Sequence, residues 1–105
     1  MAPIDLISVV GGRFIDESVA SMAHAVGREI IRQGFGLVCG GHAGAMQAAC
    51  RGAAEAKGEL DVPQLPIVGI LKDDHRGNAN PYVEVAIPTG MGVTRNSLVA
   101  MAGSG

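Results

Sequence analysis

A glycine-rich turn at residues 40–44 constrains this chain more than any other feature of its sequence. Residues 35–39 before it are apolar, and Met46, Ala49 and Ala53 after it follow the spacing of one helical face. The pattern predicts a strand, a tight turn and the start of a helix. Glycines let a ligand approach the backbone and allow positive φ without steric strain. Because a helix N-terminus offers unbonded N–H groups and about half a positive charge, the turn predicts a seat for phosphate or another anion.

Apolar runs alternate with helical spacing along the rest of the chain, which predicts one domain over residues 1–105. The predicted strands cover residues 4–10, 35–39, 67–71 and 83–87. The predicted helices run from a cap at Asp16 or Ser18 to Gln33, from Met46 to residues 57–58, and from a cap at Thr94 or Asn96 through Ala102. This alternation predicts an α/β fold, a Rossmann-like parallel sheet with helices on both faces.

Three glycine positions carry separate predictions. Gly34 follows the last periodic residue of the first helix and is expected to end it. Gly27 lies inside that helix, where it costs up to about 1 kcal/mol relative to alanine, and a close contact with the sheet would explain it. Residues 103–105 read Gly-Ser-Gly and are expected to form a flexible end.

Composition and charge exclude several classes of function. The net charge is −2 and no basic stripe is present, which argues against nucleic-acid binding. No apolar run approaches the roughly 20 residues of a membrane span, and the N-terminus lacks a signal-peptide pattern. Cys39 and Cys50 lie in apolar surroundings without a CxxC spacing, so they are predicted to be buried free thiols. These features favour a reducing, cytoplasmic location.

Polar residues also follow the first and fourth predicted strands. Gly11, Gly12 and Arg13 come after the first strand, where ligands bind in open parallel sheets. The alternatives are that the glycines only turn the chain and that Arg13 is solvated. After the fourth strand, Arg95 is suited to bind a phosphate or carboxylate bidentately. Its alternative is a solvated arginine in the first turn of a helix.

The remaining candidate groups are histidines and loop carboxylates. His42 lies in the glycine turn and is a candidate ligand contact, whereas His24 is expected at the surface or an interface. Asp73, Asp74 and His75 have the right chemistry for a metal, but adjacent loop residues rarely all point inward. We therefore predict no metal site there. The chain has neither a G-x-G-x-x-G nor a P-loop motif, which argues against ATP or GTP hydrolysis.

The chain resembles a known superfamily through three segments. Residues 40–53 match GG-x-x-G-x-M-x-A-x-x-x-GA, residues 80–82 read Asn-Pro-Tyr, and Thr89-Gly90 is followed by Arg95-Asn96. Together they resemble the Rossmann-like nucleotide-binding superfamily of Lonely Guy-type cytokinin phosphoribohydrolases and "possible lysine decarboxylase" proteins. Its branch of small bacterial proteins and molybdenum-cofactor carriers is the most similar.

This resemblance covers only the N-terminal part of such proteins. Family members continue with another strand and a GG-x-GT-x-x-E segment, whose glutamate acts in hydrolysis with an arginine near the position of Arg95. The present sequence has no such segment, so Arg95 is the sole candidate catalytic residue and hydrolysis is not carried over. A sheet without the later strands would have an open edge, which favours a homo-oligomer or a partner that supplies the missing half.

The predicted function is therefore binding of a phosphorylated, nucleotide-type ligand. The resemblance implies a nucleoside monophosphate or the molybdenum cofactor as that ligand. The alternatives are a nucleoside-monophosphate phosphoribohydrolase, a molybdenum-cofactor carrier and a scaffold without a ligand. The predicted ligand-binding residues are Gly11, Gly12, Arg13, Gly40, Gly41, His42, Gly44, Ala45, Met46, Thr89, Gly90, Arg95 and Asn96.

Overall fold

A computed structural model describes residues 3–12 and 15–105. The elements in chain order are β1 (Leu6–Val9), α1 (Glu17–Arg32), β2 (Gly36–Cys39), α2 (Ala45–Leu60), β3 (Ile67–Leu71), β4 (Val85–Pro88), a 3₁₀ turn (Gly92–Arg95) and α3 (Asn96–Ala102). All four strands are parallel, and the strand order in the sheet is β1-β2-β3-β4. The predicted α/β fold with a parallel sheet is confirmed.

Side chains on the two faces of the sheet belong to two separate apolar clusters. Leu37, Cys39 and Ile67 pack with residues of α1 and α2. Val38 and Ile70 point the other way and pack with Val99 of α3. Because successive strand residues face opposite sides, β1, β2 and β3 each contribute to both clusters. Helices therefore cover both faces, as predicted. None of the helices among the described residues is both long and apolar enough to cross a membrane.

Helices α1 and α2 pass each other at backbone contact. A Cβ placed on Gly27 of α1 would lie 1.9 Å from the Ala49 carbonyl oxygen, and one on Gly52 of α2 would lie 2.0 Å from the His24 carbonyl oxygen. Gly27 thus packs against the neighbouring helix, and the expectation that it contacts the sheet is wrong. Gly52, the last glycine of the motif at residues 40–53, serves this crossing.

The helix ends follow capping chemistry. Asp16 caps α1, since its side chain accepts a hydrogen bond from the Val19 N–H at 2.9 Å, whereas Ser18 donates to Asp16. Gly34 follows α1 with a φ of +89°, as expected of a glycine that ends a helix. Helix α2 runs past residues 57–58, because the left-handed residue that ends it is Asp61. Neither Thr94 nor Asn96 caps α3, which continues directly from the 3₁₀ turn.

The last residues of the chain lie along the outer edge of β1. The Ser104 N–H donates to the Leu6 carbonyl at 2.6 Å, and the Ser8 N–H donates to the Gly105 carbonyl at 2.8 Å. A Cβ on Gly103 would meet the Ser8 hydroxyl oxygen at 1.9 Å. The expectation of a flexible end at residues 103–105 is therefore wrong. The edge of β1 offers hydrogen-bond partners that a Gly-Ser-Gly composition does not reveal.

Candidate anion site at the carboxyl edge of the sheet

The two glycine turns meet at the carboxyl edge of the sheet. The Ala45 N–H donates to the Gly12 carbonyl at 2.9 Å, and a Cβ on Gly11 would lie 2.6 Å from the Cβ of Ala45. Beside this contact is a cavity of about 330 Å³. Its lining residues come from the ends of β1 and β2, from the start of α2 and from the segment after β4: Val9, Val10, Gly11, Gly40, Met46, Arg95, Asn96 and Val99.

Arg95 is buried at this cavity, with 6% of its surface exposed. Its Nε donates to the Ile70 carbonyl at 3.0 Å and its Nη2 to the Gly40 carbonyl at 3.5 Å, while Nη1 bonds the Asn96 side chain. The guanidinium has more N–H donors than these three contacts use. Within residues 3–12 and 15–105, no carboxylate lies within ion-pair distance of it.

Gly40 makes room for this guanidinium. A Cβ on Gly40 would lie 2.5 Å from Nη2 of Arg95 and 2.8 Å from the sulfur of Met46. Any side chain at this position would therefore displace Arg95 from the turn. The alternative of a solvated arginine is wrong, because the side chain reaches from the 3₁₀ turn to the end of β2.

The N-terminus of α2 faces the same edge without a side-chain cap. Gly44 precedes the helix with φ 73° and ψ −135°, a conformation that favours glycine. The Ala45 N–H is bonded to Gly12, but the N–H groups of Met46 and Gln47 have no acceptor in the described part of the chain. Such N–H groups, together with the helix dipole, attract an anion.

His42 is buried in the turn rather than exposed in the cavity. Only 3% of the residue is exposed, and its Nδ1 lies 3.2 Å from the Asn78 carbonyl oxygen. Burial lowers the pKa of His42 and outweighs the bond to the Asn78 carbonyl, which raises it; the charges of Arg95 and Lys72 also lower the pKa, and that of Asp73 opposes them. Nδ1 is the donor in the contact with Asn78, because a carbonyl oxygen can only accept. Its Nε2 has no hydrogen-bond partner among the described residues and lies 3.8 Å from Oδ2 of Asp73.

This burial predicts a pH dependence of stability. Between the lowered pKa of His42 in the folded state and its usual value of about 6.5, the unfolded chain binds more protons than the folded chain. The free energy of unfolding is therefore expected to fall as pH decreases below about 6.5. Urea unfolding at pH 7.5, 6.5 and 5.5 would measure it. His42→Gln should flatten this decline, whereas His75→Gln, at an exposed loop position, should leave it unchanged.

Other predicted site residues hold the β3–β4 connection and do not line the cavity. The Thr89 hydroxyl donates to the Leu71 carbonyl at 2.7 Å, and the Gly90 N–H donates to the Asp73 carbonyl at 2.8 Å. No group of three or more His, Cys, Asp or Glu residues in the described ranges is arranged to hold a metal ion. Arg13 lies outside the described residues.

Asn80 fixes the glycine turn, a role that the sequence analysis missed. Its N–H donates to the Gly41 carbonyl at 2.8 Å and its Nδ2 to the His42 carbonyl at 3.0 Å. Its Oδ1 accepts from the Tyr82 N–H at 3.0 Å. An asparagine that bonds the backbone two residues on is a common turn device, and the Asn-Pro-Tyr sequence is the signal that could have revealed it.

Cys39 and Cys50 lie directly beneath the turn. Both are buried and free, as predicted, and their sulfur atoms are 3.5 Å apart. The Gly41 N–H also donates to the Cys39 sulfur at 3.3 Å. The Cys50 thiol as donor lowers the pKa of Cys39, whereas the same bond and burial raise the pKa of Cys50.

A sequence model of the SLOG cluster4 family matches residues 5–105. The chain belongs to the SLOG cluster4 family. An uncharacterized protein of Archaeoglobus fulgidus is 36% identical over 93 residues, which cover 89% of this chain and 56% of that protein. Membership confirms the predicted resemblance to the superfamily.

Solved structures similar to this SLOG cluster4 chain include molybdenum-cofactor proteins. A molybdenum cofactor binding protein from Rippkaea orientalis superimposes with a TM-score of 0.85 at 27% identity, covering 98% of this chain and 60% of that one. A Moco carrier protein from Chlamydomonas reinhardtii has a TM-score of 0.76 at 26% identity, with coverages of 96% and 59%. The chain thus spans about 60% of the length of these structures.

Proposed function

We propose that this SLOG cluster4 chain binds a phosphorylated small molecule at the carboxyl edge of its sheet. The observation that carries the proposal is Arg95, a guanidinium buried beside a cavity with no carboxylate at ion-pair distance among the described residues. Taking a charge out of water without an opposite charge is costly. An anion in the cavity would supply the missing charge and use the remaining N–H donors of Arg95.

The glycine turns support phosphate as the anion. Because Gly40 and Gly11 have no side chains, Arg95 can lie against the turn after β2 and Ala45 against the turn after β1, which brings the guanidinium and the start of α2 to the same edge of the sheet. The unbonded N–H groups at the start of α2 provide a second set of donors, and the helix dipole favours negative charge there. Phosphate suits such a site because its several oxygens can accept from a guanidinium and from backbone N–H groups together.

A carrier of the molybdenum cofactor is the specific form of this function that the structural relatives favour. Two similar proteins are described as binding or carrying that cofactor. The phosphate of its pterin would occupy the seat formed by Arg95 and the start of α2, where the donor chemistry fits. The cofactor would be cargo, held for transfer to another protein.

Melting temperatures with and without ligand test the phosphate seat. We expect adenosine monophosphate and inorganic pyrophosphate to raise the melting temperature. At a ligand concentration of ten times the dissociation constant, binding stabilises the folded state by about 1.4 kcal/mol. Adenosine at the same concentration, which has the base and sugar but no phosphate, should have no effect. No shift with either phosphate compound, or an equal shift with adenosine, would contradict the proposal.

The carrier form needs a separate measurement. The protein would be purified from a bacterial host that makes the molybdenum cofactor and from a mutant host that cannot. Pterin fluorescence after oxidation and bound molybdenum should be found only in the first preparation. If neither is found in the first preparation, the carrier form is rejected. The melting experiment would still test whether the site binds phosphate.

Self-association is the second part of the proposal. Val19, Met22 and Val26 of α1 are exposed and lie on one side of that helix, next to the exposed Val10 after β1. Burial of such side chains favours association. We expect a homodimer or larger assembly, which sedimentation velocity over a range of protein concentrations would detect.

A further inference from the structure

The two cysteines bracket the proposed anion seat in the sequence and meet beneath it in space. Cys39 is the last residue of β2, and Cys50 lies in the second turn of α2. Every residue of the glycine turn and the start of α2 lies between them. We propose that Cys39 and Cys50 form a reversible disulfide, a modification site that closes this segment into a ring and controls anion binding.

The distance between the sulfur atoms suits this reaction. They are 3.5 Å apart, so they need to approach by roughly 1.5 Å to reach the length of a disulfide bond. Both cysteines are fully buried, with 0% of their surface exposed, so an oxidant can reach them only when the turn opens locally. Three glycines in the turn, Gly40, Gly41 and Gly44, give the backbone the freedom to open.

The oxidant is a low-molecular-weight disulfide such as oxidised glutathione. The Cys39 thiol first loses its proton to water. Its thiolate attacks one sulfur of glutathione disulfide and forms a mixed disulfide, and glutathione thiolate leaves with the bonding electron pair. The Cys50 thiol then loses its proton to that leaving thiolate and attacks the Cys39 sulfur. The mixed bond breaks and releases a second glutathione. The two cysteines are oxidised by two electrons in all, and one glutathione disulfide is reduced to two thiols.

Disulfide formation changes a hydrogen bond that shapes the turn. In the reduced protein the Cys39 sulfur accepts from the Gly41 N–H at 3.3 Å. Movement of that sulfur toward α2 draws it away from Gly41, so the turn loses this anchor. The control of anion binding by the disulfide rests on the proposed function. Loss of one such bond should weaken pyrophosphate binding about fivefold in the oxidised form.

Trapping of thiols followed by mass spectrometry tests the modification itself. Reduced protein is incubated with oxidised glutathione, treated with N-ethylmaleimide, unfolded without reductant and weighed. Wild type should lose two hydrogen atoms and take no maleimide, and dithiothreitol should restore two labelled cysteines. Cys50→Ser and Cys39→Ser should each give only the reduced form or a glutathione adduct. If a variant does not fold, the wild-type measurement alone decides whether the disulfide forms.

Two results would overturn the proposal. In the first, folded wild type keeps both thiols at a ratio of oxidised to reduced glutathione that is sufficient to form the disulfide in the urea-unfolded protein. In the second, it yields only glutathione adducts or cross-linked chains. Pyrophosphate titration of both redox forms then tests the coupling: equal affinities would reject control of binding. Absence of binding to the reduced form would reject the proposed function, and the mass measurement would still decide on the disulfide.

Discussion

Replacing Gly52 with alanine is expected to lower the free energy of unfolding by about 3 kcal/mol. The new methyl group would lie 2.0 Å from the His24 carbonyl oxygen, which is backbone of α1 and cannot rotate away. The two helices would have to separate along their whole crossing and lose packing on both sides. Equilibrium unfolding in urea, followed by far-UV circular dichroism, measures the change.

A second glycine of the same helix provides the matched control. Gly58 also lies in α2, but no atom of the residues that the structure describes lies within 4 Å of a Cβ placed on it. Gly58→Ala should therefore raise the free energy of unfolding by up to about 1 kcal/mol, because alanine favours a helix more than glycine does. If both variants change stability equally and in the same direction, the close crossing is not what Gly52 serves.

Replacing Arg95 with methionine is expected to weaken pyrophosphate binding by about 30-fold, the effect of losing a charge-assisted contact. Methionine keeps much of the volume of the side chain but removes every N–H donor and the charge. Isothermal titration calorimetry would measure the affinity. The affinity of Arg95→Lys for pyrophosphate should lie between those of wild type and Arg95→Met, because lysine keeps the charge but not the planar fork of donors.

Arg32→Met serves as the control for net charge. Arg32 lies at the C-terminal end of α1, away from the carboxyl edge of the sheet, and its side chain is 63% exposed. Its removal changes the net charge of the protein by the same amount as Arg95→Met. A similar loss of affinity in both variants would mean that general electrostatic attraction, and not the position of Arg95, drives binding. Circular dichroism of each variant checks that the fold is intact.

Local sequence signals predicted the elements, and long-range contacts determined their limits. Residues 67–71 were predicted as a strand and form β3 with those bounds, because the segment is apolar and is preceded by prolines. Strand β1 is shorter than predicted at both ends, and β4 begins two residues later and ends one residue later than predicted, since a strand extends only as far as its neighbour offers hydrogen bonds. The outer residues of the apolar runs lie beyond that pairing.

Site geometry was less predictable than the fold. The sequence pointed to Gly40 and Arg95 separately, from a turn motif and from a polar cluster. That the guanidinium occupies the space next to the Cα of Gly40 depends on residues 55 positions apart in the chain, and no local pattern encodes this. The same holds for His42, whose ring and carbonyl bond Asn78 and Asn80 from the connection between β3 and β4, 36 and 38 positions along the chain.

The contacts of Arg95 make the site depend on how the segment after β4 packs on the sheet. Its bonds to Gly40 and Ile70 join the ends of β2 and β3 to the segment that leads into α3. Local opening of that segment would separate Arg95 from both partners, so the candidate anion seat is complete only while the segment is packed on the sheet. If a ligand binds at this seat as proposed, we expect it to protect amide hydrogens of β2 and β3 from exchange with solvent as well as those of the loop that it touches.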